Sequence, residues 1–167
     1  MSKALDFYLD LCSSGAIEKD QNQIDLLTEL EIFLSNSDKN IFSKIFKFSS
    51  QENSLICFYL HGSVGSGKTL LMDLISKVIL SKKLMRIHFH EFMIKTHNSL
   101  HELRAKNYSK DDLISSYAKM IQLETDVIFF DEFQVTNIAD AMILSQLFTE
   151  FFNRKIKIVL TTNIFPD

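Results

Sequence analysis

A run of eight residues contains the residue types that bind phosphate groups. Its members are Gly62, Ser63, Val64, Gly65, Ser66, Gly67, Lys68 and Thr69. Glycine lets the backbone approach a phosphate closely, so that successive N–H groups surround its oxygens at the positive end of the following helix. In this pattern Lys68 reaches the β- and γ-phosphates, and the hydroxyl of Thr69 binds Mg²⁺. The run therefore predicts a site for a nucleoside triphosphate and Mg²⁺.

Two acidic residues, Asp131 and Glu132, directly follow the apolar run 127–130. Such a run predicts a buried strand, and ligands of parallel α/β sheets bind at the carboxyl ends of the strands. We interpret Asp131 as a ligand of Mg²⁺, directly or through water, and Glu132 as the general base that polarises the attacking water. Two exposed acids at a strand end are the alternative. Together with the phosphate loop, the pair favours an ATPase over a kinase or a GTPase.

Asn163 comes after a further apolar run, 158–160, and the pair Thr161-Thr162. A neutral amide at this strand end can hydrogen-bond both the γ-phosphate and the attacking water, and would act as a phosphate sensor. Asparagine ends many strands, so the residue alone is weak evidence. Its place in the order of phosphate loop, acidic pair and polar strand end supports the assignment.

Four histidines form a second group of candidate residues. We predict that His88 and His90 share one face of a strand, and that His97 and His101 share one face of a helix. This spacing could build a zinc site. No cysteine or carboxylate is obviously placed to complete a tetrahedral set, so contact with a partner or coupling to the nucleotide state is the favoured interpretation.

Strands and helices alternate along the second part of the chain. The predicted strands are 55–60, 85–92, 127–130 and 156–160. The predicted helices are 70–79, 93–104, one opened by Asp111-Asp112, and one capped by Thr136 that buries Ile138, Met142, Leu147, Phe148 and Phe151. This alternation predicts an α/β fold with right-handed crossovers and a parallel sheet flanked by helices, as in a P-loop NTPase.

The first part of the chain has a different pattern. The spacing of apolar residues predicts helices over 1–35, with a break at 13–15, and a helical turn between loops over 36–53. We therefore divide the chain into an N-terminal helical segment, 1–53, and an ATPase core, 54–167.

Composition limits the remaining classes of function. A chain of 167 residues with 46% hydrophobic residues can bury one sizeable core. A net charge of −3 gives no signal for tight binding to nucleic acid. The two cysteines, Cys12 and Cys57, predict reduced side chains. The chain shows no targeting signal, and its apolar runs are shorter than the roughly 20 residues that cross a bilayer, so we expect a cytoplasmic protein with at most peripheral membrane contact.

Two longer stretches carry a resemblance to a known family. They are 86–93 (RIHFHEFM), continued by His97, Leu100, His101, Leu103 and Arg104, and 131–143 (DEFQVTNIADAMI). Both closely resemble the ZapE family, which comprises bacterial cell-division ATPases and their mitochondrial AFG-type relatives within the AAA+ class. The stretch 15–23 (GAIEKDQNQ) is similar to the N-terminal region of that family. The resemblance thus spans nearly the whole chain.

The resemblance implies an ATPase with sheet order 5-1-4-3-2 that works at the subunit interfaces of a homo-oligomer. It also implies protein partners, either in the bacterial division apparatus or in mitochondrial inner-membrane protein quality control. The positions that match by motif are Gly62 to Thr69, Asp131, Glu132 and Asn163.

The resemblance also implies which structural elements should follow the position of Asn163 in members of the AAA+ class. Its members continue into a fifth strand, an arginine finger and a helical lid with a second sensor, and we expect a chain truncated before these parts. Arg86, Arg104 and Arg154 are the only arginines, and none has the position of the finger. A truncated chain would also leave the edge of strand 55–60 open to pairing, which predicts poor stability.

Two alternatives therefore stay open. One is a non-catalytic remnant that binds only a nucleotide or a partner. The other is an ATPase of the helicase-loader or transposition-helper type, against which the lack of a basic patch counts.

Overall fold

The computed structural model describes residues 3–35, 56–79, 83–109 and 112–164. The helices in these residues are α1 (Lys3–Ser13), α2 (Gln21–Ser35), α3 (Lys68–Val78), α4 (Phe89–Ala105), α5 (Leu113–Glu124) and α6 (Ile138–Asn153). The strands are β1 (Cys57–His61), β2 (Leu84–His88), β3 (Val127–Asp131) and β4 (Lys157–Thr162).

The four strands form one parallel sheet in the order β1-β4-β3-β2. This confirms the predicted α/β fold and, for these strands, the order that the family resemblance implies. Within the described residues β1 pairs with β4 alone, and its Tyr59 is 41% exposed. The nearly continuous apolar run 55–60 predicts a strand buried on both faces of a parallel sheet. The exposure of Tyr59 shows that this expectation is wrong.

The core lies on both faces of the sheet because strands alternate their side chains. Ile128 and Phe130 of β3 pack with α4, α5 and α6 on one face, and Val127 and Phe129 pack with α1, α2 and α3 on the other. All four are fully buried. A strand buried on both faces has a continuous apolar sequence, which explains why β3 is recognisable from sequence.

Phe130 is surrounded by aromatic rings on the first face. Its ring centroid lies 4.7 Å from that of Phe92, 6.1 Å from Phe89 and 6.2 Å from Phe148. We expect Phe130→Ala to lower the free energy of unfolding by about 3–5 kcal/mol, because it removes a large buried side chain and leaves a cavity. Urea unfolding followed by circular dichroism measures this.

Phe7→Ala is the matched control, since Phe7 is 47% exposed and lies on α1. We expect it to change the free energy of unfolding by less than about 1 kcal/mol. Equal effects of the two variants would contradict the assignment of the core.

Helix α4 begins earlier than the sequence suggests. The predicted strand covers 85–92, but β2 ends at His88 and α4 starts at Phe89. The buried residues of α4 recur every three or four positions: Phe89, Phe92, Met93, Thr96, Leu100 and Leu103. This helical period already includes Phe89, whose ring packs 4.6 Å from that of Phe133. The apparent alternation at 87–90 is therefore the end of a strand and the first turn of a helix.

Helix α6 differs from its prediction in its cap and its buried face. The cap is Asn137, not Thr136, because Asn137 Oδ1 accepts a hydrogen bond of 2.8 Å from the backbone N–H of Ala139. Leu147 and Phe151 are buried and Phe148 is partly buried, as predicted. Ile138 and Met142, however, are 83% and 64% exposed. Met142 lies about 200° around the helix from the buried Leu144, and so faces away from the core.

The N-terminal helices pack on the same face of the sheet as α3. Tyr8 of α1 and Leu27, Leu30 and Phe33 of α2 belong to one buried cluster with Leu71 of α3. The predicted helical turn within 36–53, the boundary at residue 54 and Asp111 lie outside the described residues. No helix in the described residues is long and apolar enough to cross a membrane.

Candidate functional site

The phosphate loop joins the end of β1 to the start of α3. Gly65 and Gly67 have φ angles of 84° and 86°, a backbone region that glycine adopts without strain. No side chain caps the N-terminus of α3. The first N–H groups of this helix therefore remain available to an anion, and the positive end of the helix dipole adds to that preference.

Lys68 lies across this loop. Its Nζ donates hydrogen bonds to the carbonyl oxygens of Gly62 at 2.7 Å and Ser63 at 2.9 Å, and it lies 3.4 Å from Ser66 Oγ. The ammonium group is thus held among the backbone atoms that would surround a phosphate. Thr69, the next residue, is exposed, and its hydroxyl forms no hydrogen bond within the described residues.

Asp131 ends β3 and is held by an arginine from the neighbouring strand. Its Oδ2 accepts a hydrogen bond of 2.8 Å from Arg86 Nε, and the same guanidinium pairs with Asp73 of α3. Burial disfavours the charged form of Arg86, but the hydrogen bonds and charges of the two carboxylates outweigh it and raise the pKa of the guanidinium. Arg86 is therefore charged at neutral pH.

Glu132 stands at a turn directly after β3. Its φ is 56°, which is in the left-handed region, and its backbone N–H donates to Thr161 Oγ1 at 3.2 Å. The following residue, Phe133, donates its N–H to the carbonyl oxygen of Thr161 at 2.7 Å. Two bonds to β4 thus fix the turn, and the side chain of Glu132 is exposed at the carboxyl edge of the sheet.

Asn163 comes directly after β4 and is exposed. The end of this strand is tied to the phosphate loop, because Gly62 N–H donates to the carbonyl oxygen of Thr162 at 3.3 Å. Since β4 lies between β1 and β3, Asn163 lies between the loop and the acidic pair along one edge. The structure therefore brings residues 62–69, 131–132 and 163 to the same edge of the sheet.

A cleft that the sequence does not predict lies beside the phosphate loop. It has a volume of about 620 Å³ and lies between residues 17–23 on one side and Gly65, Gly67 and Leu70 on the other. The sequence feature that coincides with this cleft is the stretch 15–23. It resembles the N-terminal region of the ZapE family but contains no ligand-binding motif, so the sequence did not indicate a cleft there.

Gln23 of α2 connects the N-terminal helical segment to the phosphate loop. Its Nε2 donates to the carbonyl oxygen of Ser66 at 3.1 Å, and its Oε1 accepts from the hydroxyl of Tyr8 at 3.0 Å. Tyr8 also accepts a bond of 3.0 Å from the backbone N–H of Asp20. A Cβ added to Gly67 would lie 2.5 Å from Gln23 Nε2, so this glycine allows the close approach.

The histidines do not form the predicted arrangement. His88 ends β2, whereas His90 lies in the first turn of α4, so the two do not share a strand face. His97 and His101 lie one turn apart on one face of α4, as predicted, and both are exposed. His97 Nε2 lies 2.8 Å from Asp140 Oδ1 of α6. Among the described residues no group of three or more His, Cys, Asp or Glu side chains is placed to hold a metal ion, so the zinc interpretation gains no support.

The two cysteines are free thiols. Burial raises the pKa of Cys57 to about 11. Its thiol is therefore protonated at neutral pH and is a poor nucleophile.

The donor set fits an ion such as Mg²⁺. Mg²⁺ prefers oxygen ligands and keeps several of its waters. The Thr69 hydroxyl makes no competing bond in the described residues, and Arg86 occupies only one oxygen of Asp131. Both residues lie at the same edge of the sheet, so they are suited to bind the ion together with phosphate oxygens.

Comparison with solved structures places this arrangement in a known fold. Domain III of the Thermotoga maritima replication initiation protein DnaA is similar with a TM-score of 0.57 and 17% sequence identity, over 89% of this chain and 54% of that one. AMPPCP-bound DnaA from Aquifex aeolicus is similar with a TM-score of 0.54 and 14% identity, over 90% of this chain and 40% of that one. At these identities the likeness shows the fold alone, and it agrees with the P-loop NTPase fold predicted from the sequence.

Sequence comparison identifies the family. Cell division protein ZapE of Escherichia coli strain K12 is 33% identical over 96% of this chain and 45% of its own length. Lactation elevated protein 1 homolog B of Danio rerio is 41% identical over 66% of this chain and 23% of its own length. The chain thus spans less than half the length of these two relatives. The model of the AFG1-like ATPase family matches residues 4–167. The chain belongs to the AFG1-like ATPase family.

Proposed function

We propose that this chain binds Mg-ATP and hydrolyses it. The observation that carries the proposal is the alignment of three groups along the carboxyl edge of the sheet: the phosphate loop 62–69 with Lys68, the acidic pair 131–132, and Asn163. Family membership and the AAA+ fold support an ATPase.

The loop supplies the binding of the phosphates. Backbone N–H groups of 62–67 and of the first turn of α3 would surround the β-phosphate. Lys68 would exchange its bonds to the neutral loop carbonyls for bonds to the anionic oxygens of the β- and γ-phosphates, in which both partners are charged. Thr69 and Asp131 would hold Mg²⁺, which neutralises the charge that develops on the phosphate oxygens.

The acidic pair and the amide supply the groups for hydrolysis. A water molecule would attack the γ-phosphorus and transfer a proton to the carboxylate of Glu132, while the bond from the γ-phosphorus to the β–γ bridging oxygen breaks. Asn163 would orient the water and the γ-phosphate by hydrogen bonds. Its place between the loop and the acidic pair in the strand order suits this role.

The cleft next to the loop would receive the base and the sugar of the nucleotide. Gln23 forms part of its wall and ties it to Ser66. We expect Gln23→Ala to weaken ATP binding about 2- to 10-fold, because the loss of one hydrogen bond of roughly 0.5–1.5 kcal/mol loosens the loop. Isothermal titration calorimetry with Mg-ATP measures this.

Gln122→Ala is the control, since Gln122 lies on α5 and its side-chain Nε2 donates to the carbonyl oxygen of Arg154, away from the phosphate loop. We expect its affinity for ATP to equal that of the parent chain. Parent-like binding by Gln23→Ala would remove Gln23 from the site.

The biological setting is a proposal of the same kind. The similarity to Cell division protein ZapE supports a part in cell division, and the resemblance to AFG-type proteins supports protein quality control at a membrane. We propose a homo-oligomer in the cytoplasm that acts on protein partners, with at most peripheral membrane contact. Size-exclusion chromatography with light scattering, with and without Mg-ATP, tests the oligomer: a monomer in both conditions would contradict it for this chain.

A steady-state assay of phosphate release tests the central proposal. We expect the chain to bind ATP and to release phosphate above the background of its Lys68→Ala variant. Binding without release would identify the chain as a nucleotide-binding part that does not hydrolyse ATP. Absence of binding would overturn the proposal.

A further inference from the structure

Arg86 links three elements around the proposed magnesium site. It lies in the middle of β2, and its side chain is 24% exposed. Its guanidinium contacts Asp131 at the end of β3 and Asp73 on α3. Because α3 also begins with Lys68 and Thr69, one side chain connects the helix of the phosphate loop to the strand of the acidic pair.

The contact fixes the orientation of the Asp131 carboxylate. Oδ2 accepts the 2.8 Å bond from Arg86 Nε, and Oδ1 forms no hydrogen bond within the described part of the chain. The side chain of Asp131 is 16% exposed. A carboxylate held through one oxygen in a largely buried position keeps its other oxygen in a defined direction, which lowers the entropy lost when a metal ion binds.

The charges of the group are compatible with a cation. One guanidinium and two carboxylates sum to a formal charge of −1, so Asp73 offsets the repulsion that Arg86 alone would exert on Mg²⁺. The charge of Asp73 also keeps Arg86 in place from the side of α3. An isolated surface ion pair contributes little, but this group joins the two proposed metal-binding elements.

We propose that Arg86 is a positioning residue for Mg²⁺: it holds Asp131 through Oδ2, leaves Oδ1 for the ion or its water, and is itself held by Asp73. The inference rests on the proposed function. It adds a residue of β2 to a site otherwise built from the loop, β3 and β4.

The test separates nucleotide binding from metal binding. Binding of a fluorescent ATP analogue is measured first in EDTA and then during titration with Mg²⁺, and Mn²⁺ bound in the presence of ATP is counted by electron paramagnetic resonance. In EDTA we expect Arg86→Ala to bind the analogue like the parent chain. For Arg86→Ala we expect the Mg²⁺ concentration that produces half of the change in analogue binding to rise about 10-fold. An effect of this size is typical when a hydrogen-bond partner of a metal ligand is lost.

Two further variants keep the test independent of folding. Arg86→Lys retains the positive charge but loses the planar guanidinium group with its several N–H donors. We therefore expect a smaller rise in the required Mg²⁺ concentration than for Arg86→Ala. Asp73→Asn leaves Arg86 on Asp131 but removes its second support, and we also expect a smaller rise. Urea unfolding of each variant shows whether it is folded under the conditions of the titration.

Arg154→Ala is the matched control. Arg154 is also a largely buried arginine, paired with Glu150 and bonded to Ser115 between α5 and α6. We expect its loss to leave the metal titration unchanged. An unchanged or lowered metal requirement in folded Arg86→Ala would overturn the inference while leaving the proposed function intact. Failure of the parent chain to bind the analogue would overturn both.

Discussion

Lys68→Ala is expected to weaken ATP binding at least about 100-fold, which corresponds to roughly 2.7 kcal/mol. In the structure the ammonium group of Lys68 lies among the carbonyl oxygens of the loop, 2.7 Å from that of Gly62. The charge that the variant removes would contact both the β- and the γ-phosphate, and each charge-assisted bond contributes about 1.5–3 kcal/mol. Isothermal titration calorimetry in the presence of Mg²⁺ measures the loss.

Lys77→Ala is the control for this variant. Lys77 lies in the last turn of the same helix and is remote from the loop. We expect its affinity for ATP to match that of the parent chain. Parent-like affinity in Lys68→Ala would remove the phosphate-loop assignment, and with it the basis for an ATP site on this chain.

The groups whose positions in the fold can be predicted from sequence are those formed by consecutive residues. The phosphate loop is a single run of eight, and its flanking strand and helix are its direct neighbours. Asp131 is the last residue of β3 and Glu132 follows it directly, as Asn163 directly follows Thr162 at the end of β4. In a parallel sheet all strand ends of this kind lie at one edge, so the fold itself brings these residues together.

The contacts that sequence did not predict join residues far apart in the chain. Arg86 and Asp131 are 45 positions apart, and Gln23 and Ser66 are 43 apart. Neither Arg86 nor Gln23 lies in a phosphate-loop or acidic-pair pattern. Their roles depend on which strand neighbours β3 and on how α1 and α2 pack against α3, and both are tertiary properties.

Two local predictions failed for a related reason. The alternation over 87–90 fitted a strand, but in the structure a helix begins at Phe89, whose ring packs against those of Phe130 and Phe133. Ile138 and Met142 are apolar but lie on the exposed side of α6. Apolar residues occur on surfaces as well as in cores, so residue type alone did not identify the buried face.

Glu132→Gln is expected to lower the rate of ATP hydrolysis at least about 100-fold while ATP binding stays close to that of the parent chain. Glutamine has nearly the shape of glutamate but cannot accept the proton of the attacking water. The turn that carries this side chain is held by backbone bonds to Thr161, which the substitution does not change. Phosphate release and calorimetric titration of the same preparation measure the two effects separately.

Glu124→Gln removes the same charge at the opposite edge of the sheet, because Glu124 ends α5 just before β3 begins. We expect it to hydrolyse and bind ATP like the parent chain. Parent-like hydrolysis by Glu132→Gln would show that another group accepts the proton, whereas loss of ATP binding would show that Glu132 contributes to the nucleotide or metal site instead. Only a loss of hydrolysis with binding retained supports the proposed general base, because that group acts on the water and not on the bound nucleotide.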